Sequence, residues 1–269
     1  MPRPPRVYKS SAIVLRQRGL GDVDKIITLY TAEYGKLDAV AKGVRRVKSR
    51  LAGHVEPFSH CSYLLARGRN LDIITQAQTI ETFQPLHDDL GRLSHALYAV
   101  ELVERGTEER SENFALYRLL LDTLRRLAQR GDLDTILRFF EMAVLEQLGY
   151  RPVLRQCVVC DRPPEAEANV WAPGLGGVVC SRCRPGNTLV RRLSAGALDA
   201  LRLLQDGNFE EVARLQMTPE LADELERHLR DAIHYALERD VRSAAFLQTV
   251  RRSPIRSAGR SAGRSAGLR

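Results

Sequence analysis

The chain has 269 residues, of which 44% are hydrophobic and 28% charged, enough apolar material for a real core in two or three units. No apolar run approaches the roughly 20 residues of a spanning helix, and Ala12-Ile13-Val14-Leu15 is too short for a signal-peptide core; the expected location is the cytoplasm. The net charge of +8 is segregated: residues 1–80 carry 14 Lys and Arg against 6 acids, residues 81–250 carry 21 Arg against 27 acids, and residues 251–269 carry 6 Arg and no acid. Positive fields at the two ends of a chain attract polyanions by steering and counterion release, whereas charge serving solubility alone has no reason to segregate.

In chain order, residues 7–83 read as β structure. Strand formers cluster at 11–16, 25–30, 36–41, 62–66 and 71–75, and Arg67-Gly68-Arg69-Asn70 is a hairpin turn between the last two. Five short strands in so few residues predict a small barrel. The OB-fold is the commonest basic example, although an SH3-like barrel has similar spacing. After Pro85 the period changes to that of helices. One helix carries Leu90 to Val103. A second opens at Ser111-Glu112-Asn113, and a third runs from Leu133 to Leu148 and stops at Gly149. Residues 150–190 lack periodicity. Helix returns with Ser194 as N-cap and again with Thr218 as cap and Pro219 at the first helical position.

The expected fold is therefore α+β and multidomain: a basic β-barrel (1–83), a helical domain (84–150, completed by 191–245), a four-cysteine module (151–190) and a basic tail (246–269). Arg-Ser-Ala-Gly repeats in tandem from Arg256 to Gly267, with no apolar face to bury. Such a tail is either a weak polyanion tether or dispensable.

Two constellations carry chemistry. Cys157-Val158-Val159-Cys160 and Cys180-Ser181-Arg182-Cys183 are C-x2-C knuckles with 19 residues between them, the spacing of a tetrahedral zinc site. Four thiolates leave no position for water, so one structural zinc ion is expected at Cys157, Cys160, Cys180 and Cys183. Trp171 is expected to pack over the metal loop, and Cys61 to be a core residue. The second constellation is the loop Lys42-Gly43-Val44-Arg45-Arg46-Val47-Lys48-Ser49-Arg50, with five positive charges and no acid. DNA contacts are expected at Lys42, Arg45, Arg46, Lys48 and Arg50, extended by Lys25, Lys36, Arg67 and Arg69. Tyr30, Tyr34, Phe58 and Tyr63 are nearby in sequence; each is either a stacking platform or core.

Catalytic signatures are missing. Gly174-Leu175-Gly176-Gly177 lacks the Lys and Ser/Thr of a phosphate loop, and no nucleophile triad or acidic two-metal cluster is visible. His54-Val55-Glu56 matches half of a zinc-deaminase signature, but it lies about a hundred residues from the cysteines, and Gln156 stands where that signature has Pro. Three function classes follow: a DNA-binding protein that does no chemistry, a zinc-ribbon scaffold or adaptor dominated by protein contacts, and a metal-dependent enzyme, which the full cysteine shell disfavours.

Tyr8-Lys9, Ala12 to Leu15, Gly21-Asp22, Asp24-Lys25, Gly35-Lys36, the basic loop and His54-Val55-Glu56-Pro57-Phe58 together resemble the start of the RecO family of bacterial recombination mediators. The resemblance continues through Arg67-Gly68-Arg69, Glu146-Gln147-Leu148-Gly149-Tyr150-Arg151-Pro152 and both knuckles, over about residues 7–245. It implies an N-terminal OB-fold, a helical domain and a zinc module. It also implies binding to single- and double-stranded DNA, annealing of complementary strands, and loading of RecA onto strands coated by single-strand-binding protein, with RecR as partner, in the cytoplasm at the nucleoid. Nothing is implied for the Arg-Ser-Ala-Gly tail.

Overall fold

Successive side chains of a strand point to opposite faces, so each N-terminal strand can turn one face inward. The computed structural model describes residues 6–129, 131–165, 168–183, 190–237 and 241–252. Strands β1 (Val7–Leu20), β2 (Asp24–Thr31), β3 (Gly35–Ala41), β4 (His60–Ala66) and β5 (Asp72–Glu81) close into a barrel in the order β1-β2-β3-β5-β4. All pairs are antiparallel except β3–β5, which is parallel at Ala39↔Asp72 and Val40↔Ile73. A five-stranded barrel closed by one parallel pair is OB-like, a distinction that strand spacing cannot make. Val14, Ile27, Leu29, Leu37, Cys61, Tyr63 and Leu65 fill its interior, so Cys61 is a core residue. Around residues 12–15, β1 is buried on both faces: Ile13 and Leu15, with Tyr30 and Phe58, join the core of the helical domain.

That domain comprises α1 (Gln84–Asp88), α2 (Leu90–Gly106), α3 (Phe114–Ala128), α4 (Leu133–Gln147), α5 (Ala195–Asp206), α6 (Phe209–Val212), α7 (Pro219–Leu237) and α8 (Arg242–Arg252). The starts are set by local chemistry: Asn113 accepts from Leu116 N, Ser194 from Ala197 N and Thr218 from Leu221 N, each satisfying a backbone donor that no helix turn can reach. Between α4 and α5, β6 (Asn169–Ala172), β7 (Gly177–Val179) and β8 (Arg191–Leu193) form a small antiparallel sheet in the order β7-β6-β8. Among the described residues no helix is long and apolar enough to cross a membrane.

One boundary moves. The expected tail begins at residue 246, but α8 continues to Arg252 and buries Leu247 and Val250. Their three-residue spacing is a short apolar stripe among arginines, and α8 packs it against the helical core. The Arg-Ser-Ala-Gly repeats lie outside the described residues.

The barrel meets the helices at the start of β3. Gly35 has φ +62°, and a Cβ there would lie 2.0 Å from Ser111 O. Arg110 N donates to Lys36 O at 2.7 Å. The Arg110 guanidinium reaches Asp72 at 2.9 Å, and Tyr8 donates its hydroxyl to the same carboxylate. Gly35→Ala should therefore combine left-handed strain with a backbone clash and lower stability by roughly 2–4 kcal/mol. Gly21→Ala has φ +59° but open space around it, and should lose only about 1 kcal/mol. Urea unfolding of both variants checks the contrast, and equal losses would contradict the close approach at Gly35.

Candidate nucleic-acid interface and metal centre

The loop after β3 is built by backbone hydrogen bonds. Gly43, at φ +63°, donates its N–H to Asp24 Oδ1 at 2.6 Å, and Arg45 N donates to Val23 O at 3.0 Å. These bonds tie the loop to the β1–β2 turn. Arg46 N to Gly43 O and Ser49 N to Arg46 O make two successive turns, and the Val44 side chain is buried beneath them. The result exposes Lys42, Arg45, Arg46, Lys48 and Arg50. Among the described residues none of these five takes part in a salt bridge. Lys25 is half-buried beside them, paired in register with Ala41 and hydrogen-bonded to Gln17.

The other expected cations separate into two kinds. Arg67 and Arg69 are exposed on the β4–β5 hairpin, and the Arg67 guanidinium lies 5.1 Å from the Tyr8 ring centre and 6.0 Å from that of Tyr34. Tyr34 is in the β2–β3 turn, whereas the basic loop leaves the open end of that ribbon. Arg67 thus lies beside the β2–β3 turn, while Asp72, which follows the hairpin, pairs with Ala39 near the end of β3 from which the basic loop leaves. Lys36 is a correction. Its ammonium donates to the backbone carbonyls of Glu104 and Thr107 at the end of α2, so it caps a helix and is not a free surface cation. Burial pulls its pKa down, opposed by Glu104, Glu109 and Asp38. Arg16 and Arg18 are likewise engaged, with Glu104 at 3.0 Å and Asp38 at 2.5 Å.

The aromatic residues divide the same way. Tyr30, Phe58 and Tyr63 are fully buried, and Tyr34 packs edge-on against Tyr8 at 4.6 Å. None of them lies on the basic loop. Counting cations alone overlooks the apolar residues at this end: Val47 is fully exposed in the loop, and Leu20, the last residue of β1, and Val23, in the adjoining turn, are exposed.

The four cysteines converge, with their sulfurs all within 4.8 Å of one another. Cys160 and Cys180 Sγ are 3.8 Å apart, and a tetrahedral ion with thiolates at about 2.3 Å requires sulfur separations near 3.8 Å. The donor set fits a soft or borderline metal ion held by four thiolates. The first knuckle turns through Asp161 at φ +58°, with Asp161 N donating to Cys157 O and Cys157 N to Arg162 O. Cys180 N points at Cys157 Sγ, 3.4 Å away. Desolvation raises the Cys157 thiol, but backbone donors from Cys180, Val159 and Cys160 outweigh it and hold the thiol down to about 6. Cys183 is pushed up to about 12, first by its hydrogen bond with Cys160, so the last proton leaves readily only when a cation offsets the crowded sulfurs. His54 is not in this cluster; its Nδ1 lies 2.6 Å from Thr79 Oγ1 in the barrel. Trp171 also departs from expectation. It faces the helical core, with Nε1 donating to His228 O at 3.0 Å, because it occupies the opposite face of β6 from Val170 and Ala172, which pack with the cysteines.

Two family models match the chain: Recombination protein O N terminal over residues 6–83 and Recombination protein O C terminal over residues 87–245. The chain is 40% identical over 246 residues to the DNA repair protein RecO of Roseiflexus sp. (strain RS-1), spanning 91% of this chain and 87% of the relative. It is 39% identical over 249 residues to that of Pelotomaculum thermopropionicum, spanning 93% and 96%. For that of Symbiobacterium thermophilum the values are 39% over 248 residues, spanning 91% and 98%.

Replacing Cys157 and Cys160 with Ser should abolish bound metal and lower the melting temperature; unchanged metal content by elemental analysis would refute these ligands. Lys36→Met should cost about 1–3 kcal/mol in urea unfolding, the loss expected when buried carbonyls lose a charged donor. Its salt-dependent retention on heparin should equal that of the wild type, whereas a variant with Ala at Arg45, Arg46 and Lys48 should elute earlier. Early elution of Lys36→Met would return that residue to the polyanion surface.

Proposed function

Because the chain belongs to the RecO family of DNA repair proteins, we propose that it is a recombination mediator that binds single- and double-stranded DNA and anneals complementary strands. The observation that supports this most is the hydrogen-bonded loop with five exposed cations that form no salt bridge among the described residues. Two DNA strands repel each other through their phosphates. A cationic surface displaces the condensed counterions and lowers that repulsion, and holding both strands on one protein raises their effective concentration. Base pairing then supplies the free energy, so neither a nucleotide cofactor nor a catalytic residue is required, and we assign no enzymatic step. Lys42, Arg45, Arg46, Lys48 and Arg50 contact phosphates, with Lys25 beside them and Arg67 and Arg69 forming a second contact on the β4–β5 hairpin.

In this proposal the metal is zinc, with a structural role: four thiolates fill its shell and leave no site for water or substrate. The partners are RecR, single-strand-binding protein on the coated strand and, through them, RecA, which is loaded onto the cleared DNA. The protein works in the cytoplasm at the nucleoid.

Complementary oligonucleotides coated with single-strand-binding protein test the proposal. The wild type should anneal them quickly, and a folded variant with Ala at Arg45, Arg46 and Lys48 should be slower by about tenfold or more. Removing three phosphate contacts should also reduce the slope of log affinity against log salt by roughly 2, at about 0.7–0.9 per contact. No annealing by folded, metal-loaded wild type would favour a scaffold dominated by protein contacts.

A further inference from the structure

The basic loop supplies phosphate contacts, and among the described residues no aromatic side chain lies on it. The exposed apolar side chains at the basic end of the barrel are aliphatic: Val47 in the loop, Leu20 at the end of β1 and Val23 in the turn to which the loop is bonded. Val47 differs from a chance surface residue in two ways. First, the loop is shaped by its own hydrogen bonds, and the other valine of the loop, Val44, is 3% exposed whereas Val47 shows no burial at all. The fold thus buries one valine and projects the other from between Arg46 and Lys48. Second, valine is β-branched and has few rotamers, so little side-chain freedom is lost when it is inserted.

We propose that Val47 enters between neighbouring bases of a single DNA strand whose phosphates lie on the surrounding cations, with Leu20 and Val23 lining the same base-contacting surface. Charge complementarity identifies the occupant. Lys42, Arg45, Arg46, Lys48 and Arg50 surround Val47 in sequence and are exposed with it, Asp24 is engaged by Gly43 N, and Asp22 is the exposed acid of the turn. An apolar patch bordered by cations suits a ligand with anionic edges and apolar faces. Apolar wedges unstack base steps when cations hold the backbone. A wedge of this kind touches base faces and leaves the pairing edges open, so an unstacked strand remains ready to pair and no sequence is preferred. The inference rests on the DNA-binding proposal above.

The test uses the full-length protein and a single-stranded oligonucleotide containing 2-aminopurine, whose emission rises on unstacking. Wild-type protein at low salt should raise the emission about threefold or more, consistent with disruption of a base step. Val47→Ser should lose most of that rise while keeping the wild-type salt slope, because no cation has been removed, and Val47→Leu should retain it. Leu20→Ser with Val23→Ser should give a partial loss. A rise in Val47→Ser equal to that of the wild type, or no rise despite wild-type binding, would overturn the wedge and leave the phosphate surface standing. Absence of any binding by metal-loaded wild type at low salt would overturn both.

Discussion

The last turn of a helix leaves carbonyls without donors and carries the negative end of the helix dipole. At the end of α2, Lys36 meets that need from another domain, donating to the carbonyls of Glu104 and Thr107. Its burial is tolerable because Glu104, Glu109 and Asp38 favour the charged form. Around this contact the barrel is fixed by the close approach of Gly35 to Ser111 and by the Tyr8–Asp72–Arg110 network. The start of β3 is thereby committed to the helices. The open end of the β2–β3 ribbon, from which the basic loop leaves, keeps its cations for other ligands.

Salt-bridge pairing separates structural cations from those available to a ligand. Arg105 pairs with Glu101, Arg125 with Glu81, Arg151 with Glu146 and Asp206, and Arg191 with Asp231. A paired charge contributes little field beyond the Debye length of about 8 Å at physiological salt, whereas an unpaired one reaches a phosphate before contact. These arginines of the helical body therefore serve the fold, whereas the five cations of the loop take part in no salt bridge among the described residues. This division explains how a chain of net charge +8 can have a helical middle of excess negative charge and still present a localised basic surface.

Where side-chain period and local capping decided the structure, the sequence was readable. Runs of strand-forming residues located all five barrel strands, and Asn113, Ser194 and Thr218 marked three helix starts. The paired cysteines were legible because two knuckles can meet on one ion whatever fold surrounds them. Contacts decided by distant residues were not legible. Lys36 looks like its basic neighbours until α2, 68 residues away, supplies its acceptors. The parallel β3–β5 pair depends on closure of the barrel, and α8 depends on a groove along α2. Val47 was hidden for a different reason: a single apolar residue in a charged loop has no period, so only the burial of Val44 shows that the two differ.

The direction of Trp171 shows what a metal held by the four cysteines would contribute to the rest of the molecule. Strand parity places Val170 and Ala172 on one face of β6 and Trp171 on the other. The first face packs with Cys157 and Cys180, while the second reaches the helical core and hydrogen-bonds the backbone of α7 at His228. β7 repeats the alternation, with Val179 among the cysteines and Val178 in the core. The small sheet is thus a partition with a metal-binding layer on one side and the main core on the other. A strand three or four residues long has too few ladder bonds to hold its register alone. A thiolate shell closed around an ion would fix the outer layer and thereby also orient the indole on the inner one, which would give such a site a structural purpose without any open coordination position.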